Sequence, residues 1–115
     1  MQAYLIDPHT KTTEAITYSG DWQDISKLIG CHHFDVVTTP EGLSIYVDDE
    51  GLYRQGQAFF AWKGMPAPIA GRALVLGPVD AEGETLECPW SAVDVACHVV
   101  FAPLSVLLVY CMEDE

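Results

Sequence analysis

The sequence predicts an α+β fold: a mostly antiparallel β-sheet with one or two short α-helices packed on one face. Segments rich in β-branched and aromatic residues, separated by Gly and Pro turns, outnumber segments with a helical period. They do not alternate regularly with helices, which argues against a parallel βαβ fold. The 115 residues provide for one core, so we expect a single acidic domain over residues 1–115. With 50% hydrophobic residues, the chain is not intrinsically disordered.

The first third of the chain predicts a β-hairpin and then a helix. Residues 2–6 and 12–18 are the two strands, with a turn between them. Asp21 is placed to cap a helix that begins at Trp22, and Gly30 is placed to end it in a left-handed conformation. Because two turns of helix are unstable alone in water, the apolar face of this helix must pack on the sheet.

The rest of the chain predicts further strands and a second helix. The turn after residue 47 contains Gly51, which we expect to adopt a positive φ. Ser91 and Asp94 resemble a capping box and predict a helix over residues 92–101. The strands are expected at residues 34–38, 43–47, 58–62, 72–76 and 106–110.

The charge of the chain excludes several classes of partner. Five basic and 17 acidic residues give a net charge of −12. Direct binding to nucleic acid phosphates, or to an anionic membrane surface, needs clustered Lys and Arg, and we expect neither. The first residues carry no secretory signal, so a cytoplasmic location is predicted. In that compartment Cys31, Cys88, Cys97 and Cys111 remain thiols that fill the core.

A long uncharged segment runs from Val95 to Met112. Its length approaches the lower limit for a membrane span. Pro103 interrupts it, and neither flank has the Lys or Arg that sets orientation in a membrane. We therefore predict two buried core elements that meet at Pro103.

Two pairs of neighbouring Cys and His residues are the candidates for metal or nucleophile chemistry. Cys and His are zinc ligands, and a Cys–His pair is the core of several nucleophilic enzymes. Neighbouring side chains diverge, however, so one metal ion would need both segments side by side. We predict no metal, no cofactor and no catalytic residue, and a small Cys/His metal-binding protein or enzyme is the alternative. The residues concerned are Cys31, His32, His33, Cys97 and His98.

Three short segments concentrate the acidic residues. If residues 80–84 are extended, carboxylates at alternate positions lie on one face about 6.6 Å apart, a row that imitates a nucleic acid backbone. The alternative is that these segments only keep the protein soluble. The predicted partner-binding residues are Asp48, Asp49 and Glu50 in one segment and Asp80, Glu82, Glu84 and Glu87 in another; Glu113, Asp114 and Glu115 form the third segment.

The order of these motifs resembles an uncharacterised domain family of bacteriophages, plasmids and other mobile elements. The resemblance covers residues 1–85 and rests on the helix that ends at Gly30, the Asp-Glu-Gly turn at residues 49–51 and the glycine-flanked strand between Gly71 and Gly77. The family has no assigned catalytic residues. The resemblance implies a small accessory protein that acts in a bacterial host.

These observations lead to one functional hypothesis and two alternatives. The hypothesis is a non-enzymatic protein that binds a host protein, such as a nucleic-acid-binding component of a restriction or CRISPR system, through its acidic surface. The first alternative is the Cys/His protein described above. The second is a self-associating structural protein or homodimer, which pairs through an apolar edge strand at residues 106–109. The tryptophans Trp22, Trp62 and Trp90 are expected either in that interface or in the core.

Overall fold

A computed structural model describes residues 1–113 of the chain. Its architecture is α+β with antiparallel sheets, as the sequence predicts. The helices number three in the described residues, and they do not all lie on one face. In chain order the elements are β1 (Gln2–Asp7), β2 (Thr12–Thr17), α1 (Trp22–Ile29), β3 (Phe34–Thr38), β4 (Ser44–Asp48), a 3-10 turn (Gly51–Tyr53), β5 (Phe59–Trp62), β6 (Ile69–Ala70), β7 (Ala73–Leu76), α2 (Ala92–His98), β8 (Val99–Phe101) and α3 (Leu104–Glu113).

A five-stranded sheet forms the centre of the molecule, in the order β2-β1-β7-β4-β3. Strands β1 and β2 form the predicted hairpin, with Gln2 opposite Thr17 and Asp7 opposite Thr12. Strand β7 lies between β1 and β4 and is buried along its whole length. A strand buried on both faces has a continuous apolar sequence, which explains the run of residues 73–76.

A smaller sheet, in the order β6-β5-β8, packs on one face of the central sheet. Phe60 and Trp62 of β5 are fully buried in the core between the sheets, together with Ile45 of β4 and Val75 of β7. Val95 of α2 completes that core. The layers are therefore α1, the central sheet, the small sheet with α2 beside it, and finally α3.

Helix α1 covers the other face of the central sheet, and its local sequence explains both ends. The Asp21 side chain accepts a hydrogen bond from the backbone N–H of Gln23 at 3.0 Å. Gly30 ends the helix at φ +71°, as predicted. Ile25 and Ile29, one turn apart, are buried against the central sheet. A capped amphipathic helix of this kind is determined locally, which is why its sequence predicts it correctly.

The second predicted helix is shorter than expected. Ser91 accepts a hydrogen bond from the N–H of Asp94 at 3.2 Å, which confirms the cap. The helix ends at His98 rather than at residue 101, because residues 99–101 pair with β5 as strand β8. Val99 and Val100 are β-branched, and pairing in a sheet outweighs continuation of the helix there.

The strand predicted at residues 106–110 is wrong, because the segment is helix α3. The backbone N–H groups of Val106 and Leu107 bond to the carbonyl of Pro103 at 2.9 and 3.0 Å and begin the helix. A uniformly apolar run has no period that separates strand from helix. Pro103 does separate two elements, but only part of α3 is buried. Within residues 1–113, none of the helices is long and apolar enough to cross a membrane.

The cysteines occupy unlike environments. None of the four forms a disulfide, and all four lie in the described part of the chain. Cys88 and Cys111 are buried, as expected of core residues. Cys31 is only partly buried and Cys97 is exposed, so the prediction that all four fill the core is wrong for Cys97. Burial raises the pKa of the Cys31 and Cys88 thiols, and protonated thiols are poor nucleophiles.

Candidate protein-binding surface

The first acidic segment lies where β4 leaves the central sheet. The N–H of Asp49 donates to the carbonyl of His33 at 3.1 Å, so the β3–β4 ladder continues one residue past the strand. The N–H of Glu50 donates to the Asp48 carboxylate at 2.9 Å and turns the chain. Asp49 and Glu50 are exposed, whereas the Asp48 side chain is 6% exposed. Two of the three predicted residues are therefore available to a partner.

Asp48 has a structural partner in Arg54. The Arg54 guanidinium forms a short ion-paired hydrogen bond with the Asp48 carboxylate. Burial alone raises the pKa of Asp48, but the hydrogen bonds from Arg54 and from the N–H of Glu50 outweigh it, and the net pKa is lowered. Asp48 is thus held ionised, and it fixes the turn between β4 and Arg54.

Gly51 is needed in this turn for a reason other than the predicted one. Its φ is not positive; the residue begins the 3-10 turn. A Cβ at this position would lie 3.0 Å from the carbonyl oxygen of Ala70 and 3.2 Å from the Ala70 Cβ. Glycine allows the turn to pack directly against β6.

The 3-10 turn presents two large apolar side chains to solvent. Leu52 is 72% exposed and Tyr53 is 86% exposed, immediately after the exposed carboxylates of Asp49 and Glu50. A groove of about 200 Å³ lies under Leu52, and it is lined by Val37, Val47, Asp48, Asp49, Leu52, Pro68 and Ile69, among others. We call the surface formed by Asp49, Glu50, Leu52, Tyr53 and this groove the 49–53 surface.

A second cavity, of about 230 Å³, lies on the other side of Asp48 and is polar. Arg54 and Arg72, two of the five basic residues of the chain, line it together with Gln57. The Gln57 side chain donates to the carbonyl of Gly51 at 2.8 Å, and its oxygen lies 3.1 Å from His9 Nε2. These contacts hold the 3-10 turn against the turn between β1 and β2 and give the 49–53 surface a fixed backbone.

The second acidic segment is a tight turn rather than an extended row. The Asp80 carboxylate accepts hydrogen bonds from the N–H groups of Glu82 and Glu84, both at 2.9 Å. The N–H of Asp80 donates to the carbonyl of Glu84 at 2.8 Å, which closes the turn. The Glu87 carboxylate accepts from the N–H of Gln2 at 3.0 Å. The regular spacing predicted for these carboxylates is therefore wrong, because two of them satisfy backbone donors of the fold.

The acidic segments do not converge on one face. Strand β4 runs from Ser44, which pairs with Leu76, to Asp48 at its far end. The turn at residues 80–84 follows β7 beyond Leu76, and so lies at the Ser44 end of the central sheet. Residues 48–50 lie at the opposite end. Of the third segment, Asp114, Glu115 and the side chain of Glu113 lie outside the described residues.

The Cys and His residues also lie in separate places. Cys31 belongs to the core under α1, whereas His98 packs beside the small sheet. In residues 1–113, no group of three or more His, Cys, Asp or Glu side chains is arranged to hold a metal ion. The structure thus contradicts the juxtaposition on which the alternative with Cys31, His32, His33, Cys97 and His98 depended.

His98 instead belongs to an aromatic cluster that its sequence position did not suggest. Its ring lies 5.3 Å from that of Trp62 and 4.7 Å from that of Trp90. Trp62 Nε1 donates to Glu41 at 3.0 Å, and His98 Nε2 lies 3.6 Å from the same carboxylate. The side-chain contacts of Glu41 fix the turn after β3 against α2. Of the other tryptophans, Trp22 is 64% exposed and stacks at an angle on Phe34.

Sequence reasoning missed the exposed Leu52 and Tyr53. A short run of two apolar residues after a turn is equally typical of a strand that begins to enter the core. The signal that was present is the glycine on each side, at Gly51 and Gly56, because closely spaced glycines are typical of turns and loops.

The fold and its surfaces define a small acidic α+β domain whose exposed apolar residues lie beside exposed carboxylates. The chain belongs to the family described as "Domain of unknown function (DUF3846)", which matches residues 1–95. This confirms the resemblance to an uncharacterised domain family and extends it from residue 85 to within α2. Strand β8 and helix α3 lie outside the matched part.

One curated relative is an uncharacterized protein, y4iR, of Sinorhizobium fredii (strain NBRC 101917 / NGR234). It is 30% identical over 77 residues, which cover 64% of this chain and 47% of the relative. The aligned part thus spans about half the length of that relative. No solved structure matches the chain.

Proposed function

We propose that this protein is a non-enzymatic binding protein that contacts another protein through the 49–53 surface. The observation that carries the proposal is the exposure of Leu52 and Tyr53 beside Asp49 and Glu50. Large exposed apolar side chains next to a groove are typical of protein-binding sites, and tyrosine is enriched among the residues that dominate binding energy. The groove under Leu52 provides room for an apolar side chain of the partner.

The chemistry of this surface specifies the partner that it fits. An apolar centre with a carboxylate rim is complementary to an apolar side chain surrounded by Lys or Arg. Exposed carboxylates accelerate association with a cationic partner and improve specificity more than they raise affinity. The polypeptide backbone of the surface is fixed by Asp48, Arg54 and Gln57, so little ordering is needed on binding.

The finer form of the proposal concerns the biological setting. We infer that the partner is a host protein with a cationic nucleic-acid site, such as a restriction or CRISPR component, and that the protein inhibits it in the bacterial cytoplasm. The net charge of −12 and the absence of disulfides support this setting. We leave Asp80, Glu82, Glu84 and Glu87 outside the contact surface, because they lie at the other end of the central sheet and two of them bond to backbone.

Affinity capture with matched variants tests the proposal. The bait is the purified protein, and the lysate is that of its native bacterial host, at low and at high salt. The double variant L52S/Y53A removes the apolar side chains of the surface, and V93S is the control because Val93 is also 70% exposed but lies on α2. We expect a retained protein with the wild type and with V93S, and its loss with the double variant.

Two outcomes contradict the proposal. If no protein is retained at any salt concentration, the binding function itself is refuted. If the double variant retains the same protein as the wild type, the 49–53 surface is the wrong surface. If the partner is bound through charge, its retention weakens steeply between low and high salt, since surface charges are screened.

A further inference from the structure

The polar cavity beside Asp48 contains an arginine that has no partner in the fold. Arg72 comes just before β7 and, like Arg54, lines this cavity of about 230 Å³. Within residues 1–113, the Arg72 guanidinium forms neither a hydrogen bond nor an ion pair with another residue. We call the space lined by Arg54, Gln57 and Arg72 the arginine cavity.

An unpaired arginine is unexpected in a chain of this composition. With 17 acidic residues against five basic ones, a carboxylate partner is easily found. A guanidinium has five N–H donors, and when it is largely withdrawn from water they are normally satisfied. Arg72 is only partly exposed, yet no side-chain nitrogen or oxygen in the described residues is both buried and unsatisfied. The nitrogens of Arg72 therefore face accessible space, which the arginine cavity provides.

Two glycines give the arginine cavity its shape. A Cβ at Gly30 would collide with a terminal nitrogen of Arg72, so glycine leaves room there for the guanidinium. A Cβ at Gly71 would lie 3.2 Å from the side-chain nitrogen of Gln57. Both glycines also have a positive φ, which favours glycine independently. The Arg72 side chain thus has a defined place against the end of α1, and little ordering is needed when it binds a ligand.

The end of α1 explains why a cation is stable at this place, but it does not supply acceptors. Gly30 directly follows α1, and the C-terminal end of a helix has a partial negative charge that favours a cation. This attraction acts on the whole guanidinium and requires no hydrogen bond. The N–H donors of Arg72 therefore remain available to a ligand.

The two carboxylates that line the arginine cavity are engaged by the fold. Asp48 is ion-paired with Arg54, which donates through Nε and keeps its two terminal nitrogens for a further acceptor. Asp7 accepts a hydrogen bond from the backbone N–H of His9 at 2.9 Å, at the start of the turn between β1 and β2. Neither carboxylate is ion-paired with Arg72.

Basic residues are concentrated around Gln57. Arg54 and Arg72 line the arginine cavity together with Gln57, and Lys11 lines a neighbouring groove to which Gln57 also belongs. Three of the five basic residues of the chain therefore lie in one region. No other region collects as many, because only two remain. In a protein of net charge −12, positive charge is thus gathered at one cavity, where it attracts anions.

We propose that the arginine cavity binds an oxyanion, the phosphate or carboxylate group of a small molecule, through the guanidinium groups of Arg72 and Arg54. A guanidinium donates two parallel N–H bonds to two oxygens of such a group. The cavity is several times larger than the space of about 30 Å³ that one water molecule occupies, so it admits a group of this size. The proposal needs no protein partner and is independent of the proposed binding function.

NMR titration of the ¹⁵N-labelled protein tests the proposal, with sodium phosphate and sodium acetate as the probes. Sodium chloride at the same ionic strength is the control for screening. We expect the backbone N–H signals of Gly30 and Gly71 and the Nε–H signal of Arg72 to shift and saturate. The expected dissociation constant is about 1 mM, because the probes have few atoms. The probe that binds more tightly identifies the natural group as a phosphate or a carboxylate.

Matched variants locate the oxyanion. R72Q removes the guanidinium, and K63Q removes a charge from an exposed side chain after β5, at the other end of that strand from Gln57. We expect R72Q to weaken binding at least tenfold and K63Q to leave it unchanged. R72K keeps the charge but loses the planar pair of donors, so we expect it to weaken binding at least threefold. The circular dichroism spectrum of each variant checks that it folds.

Two results overturn the proposal. One is a wild-type protein in which neither phosphate nor acetate, up to about 50 mM, causes shifts beyond those of sodium chloride. The other is an R72Q variant that binds the probe as tightly as the wild type, because the oxyanion would then lie elsewhere. If R72Q does not fold, R72K decides: unchanged affinity in R72K equally refutes the role of the Arg72 guanidinium.

Discussion

The orientation of α3 predicts very different costs for two truncations only two residues apart. Leu107 is fully buried against the small sheet, and Val109 is 53% exposed. If residues 106–110 formed a strand, these side chains would share a face, because the period of a strand is two. On a helix they are about 200° apart. The pair L107A and V109A therefore distinguishes the two conformations in solution.

The expected magnitudes follow from burial. L107A removes a buried leucine, and such changes cost about 2–5 kcal/mol. Because α3 lies on the outside and can settle onto the sheet, we expect about 3 kcal/mol, which corresponds to a fall in Tm of roughly 10–15 °C for a domain of this size. V109A loses few contacts, and alanine is the better helix former, so its free energy of unfolding stays within about 0.5 kcal/mol of the wild type.

Urea unfolding followed by tryptophan fluorescence measures both values, since Trp62 is buried beside this layer. A V109A variant that loses as much stability as L107A would show that both side chains are buried on one face, and would refute the helix as described.

Two further changes test other parts of the structure. In E41Q the hydrogen bond from Trp62 is retained and the charge is lost. Partial burial raises the pKa of Glu41. The hydrogen bonds from Trp62 and others, together with the proximity of His98, lower it by more than burial raises it, so the net pKa is below its ordinary 4.5. This stabilisation is present above the unfolded-state pKa and is lost as pH falls through the folded-state value. In urea titrations at each pH, we expect wild type to exceed E41Q by about 1 kcal/mol at pH 7 and by progressively less as the pH falls below 4.5. A difference that is constant with pH would contradict it. G77A places a Cβ 2.1 Å from the carbonyl oxygen of Glu87, and we expect it to lower the free energy of unfolding by about 3 kcal/mol. The control G83A, at φ +85° with nothing within 4 Å, lowers it by about 1 kcal/mol. Equal losses of stability in thermal unfolding would show that the Glu87 backbone moves to accommodate the new Cβ.

The parts of the fold that the sequence predicts are those with local determinants. Helix α1 has a cap at Asp21, a left-handed glycine at Gly30 and an apolar stripe between them, and all three were found where the sequence places them. The β1–β2 hairpin is likewise local. Helix α3 has no such signals, because its residues are apolar on every side and only the small sheet decides which of them are buried.

The candidate surfaces were harder to predict, because they depend on which polar groups the fold uses internally. In the sequence, Asp80 and Glu87 belong to the same acidic segment as Glu82 and Glu84. In the structure, the carboxylates of Asp80 and Glu87 accept hydrogen bonds from backbone N–H groups. The exposure of Leu52 and Tyr53 depends on the close contact between Gly51 and Ala70, nineteen positions later in the sequence. No local pattern contains that information.

The position of β7 has a consequence for how the chain folds. The hairpins β1–β2 and β3–β4 do not pair with each other; β7 joins them, and it comes later in the sequence than all four strands. During synthesis the backbone N–H and C=O groups of β1 and β4 that pair with β7 therefore remain exposed to water until residues 73–76 have left the ribosome. Such non-local closure slows folding to the millisecond-to-second range of mixed and β-rich domains. A nascent chain stalled before residue 73 exposes the unpaired edges of β1 and β4. Such edges are where aggregation begins and where chaperones bind.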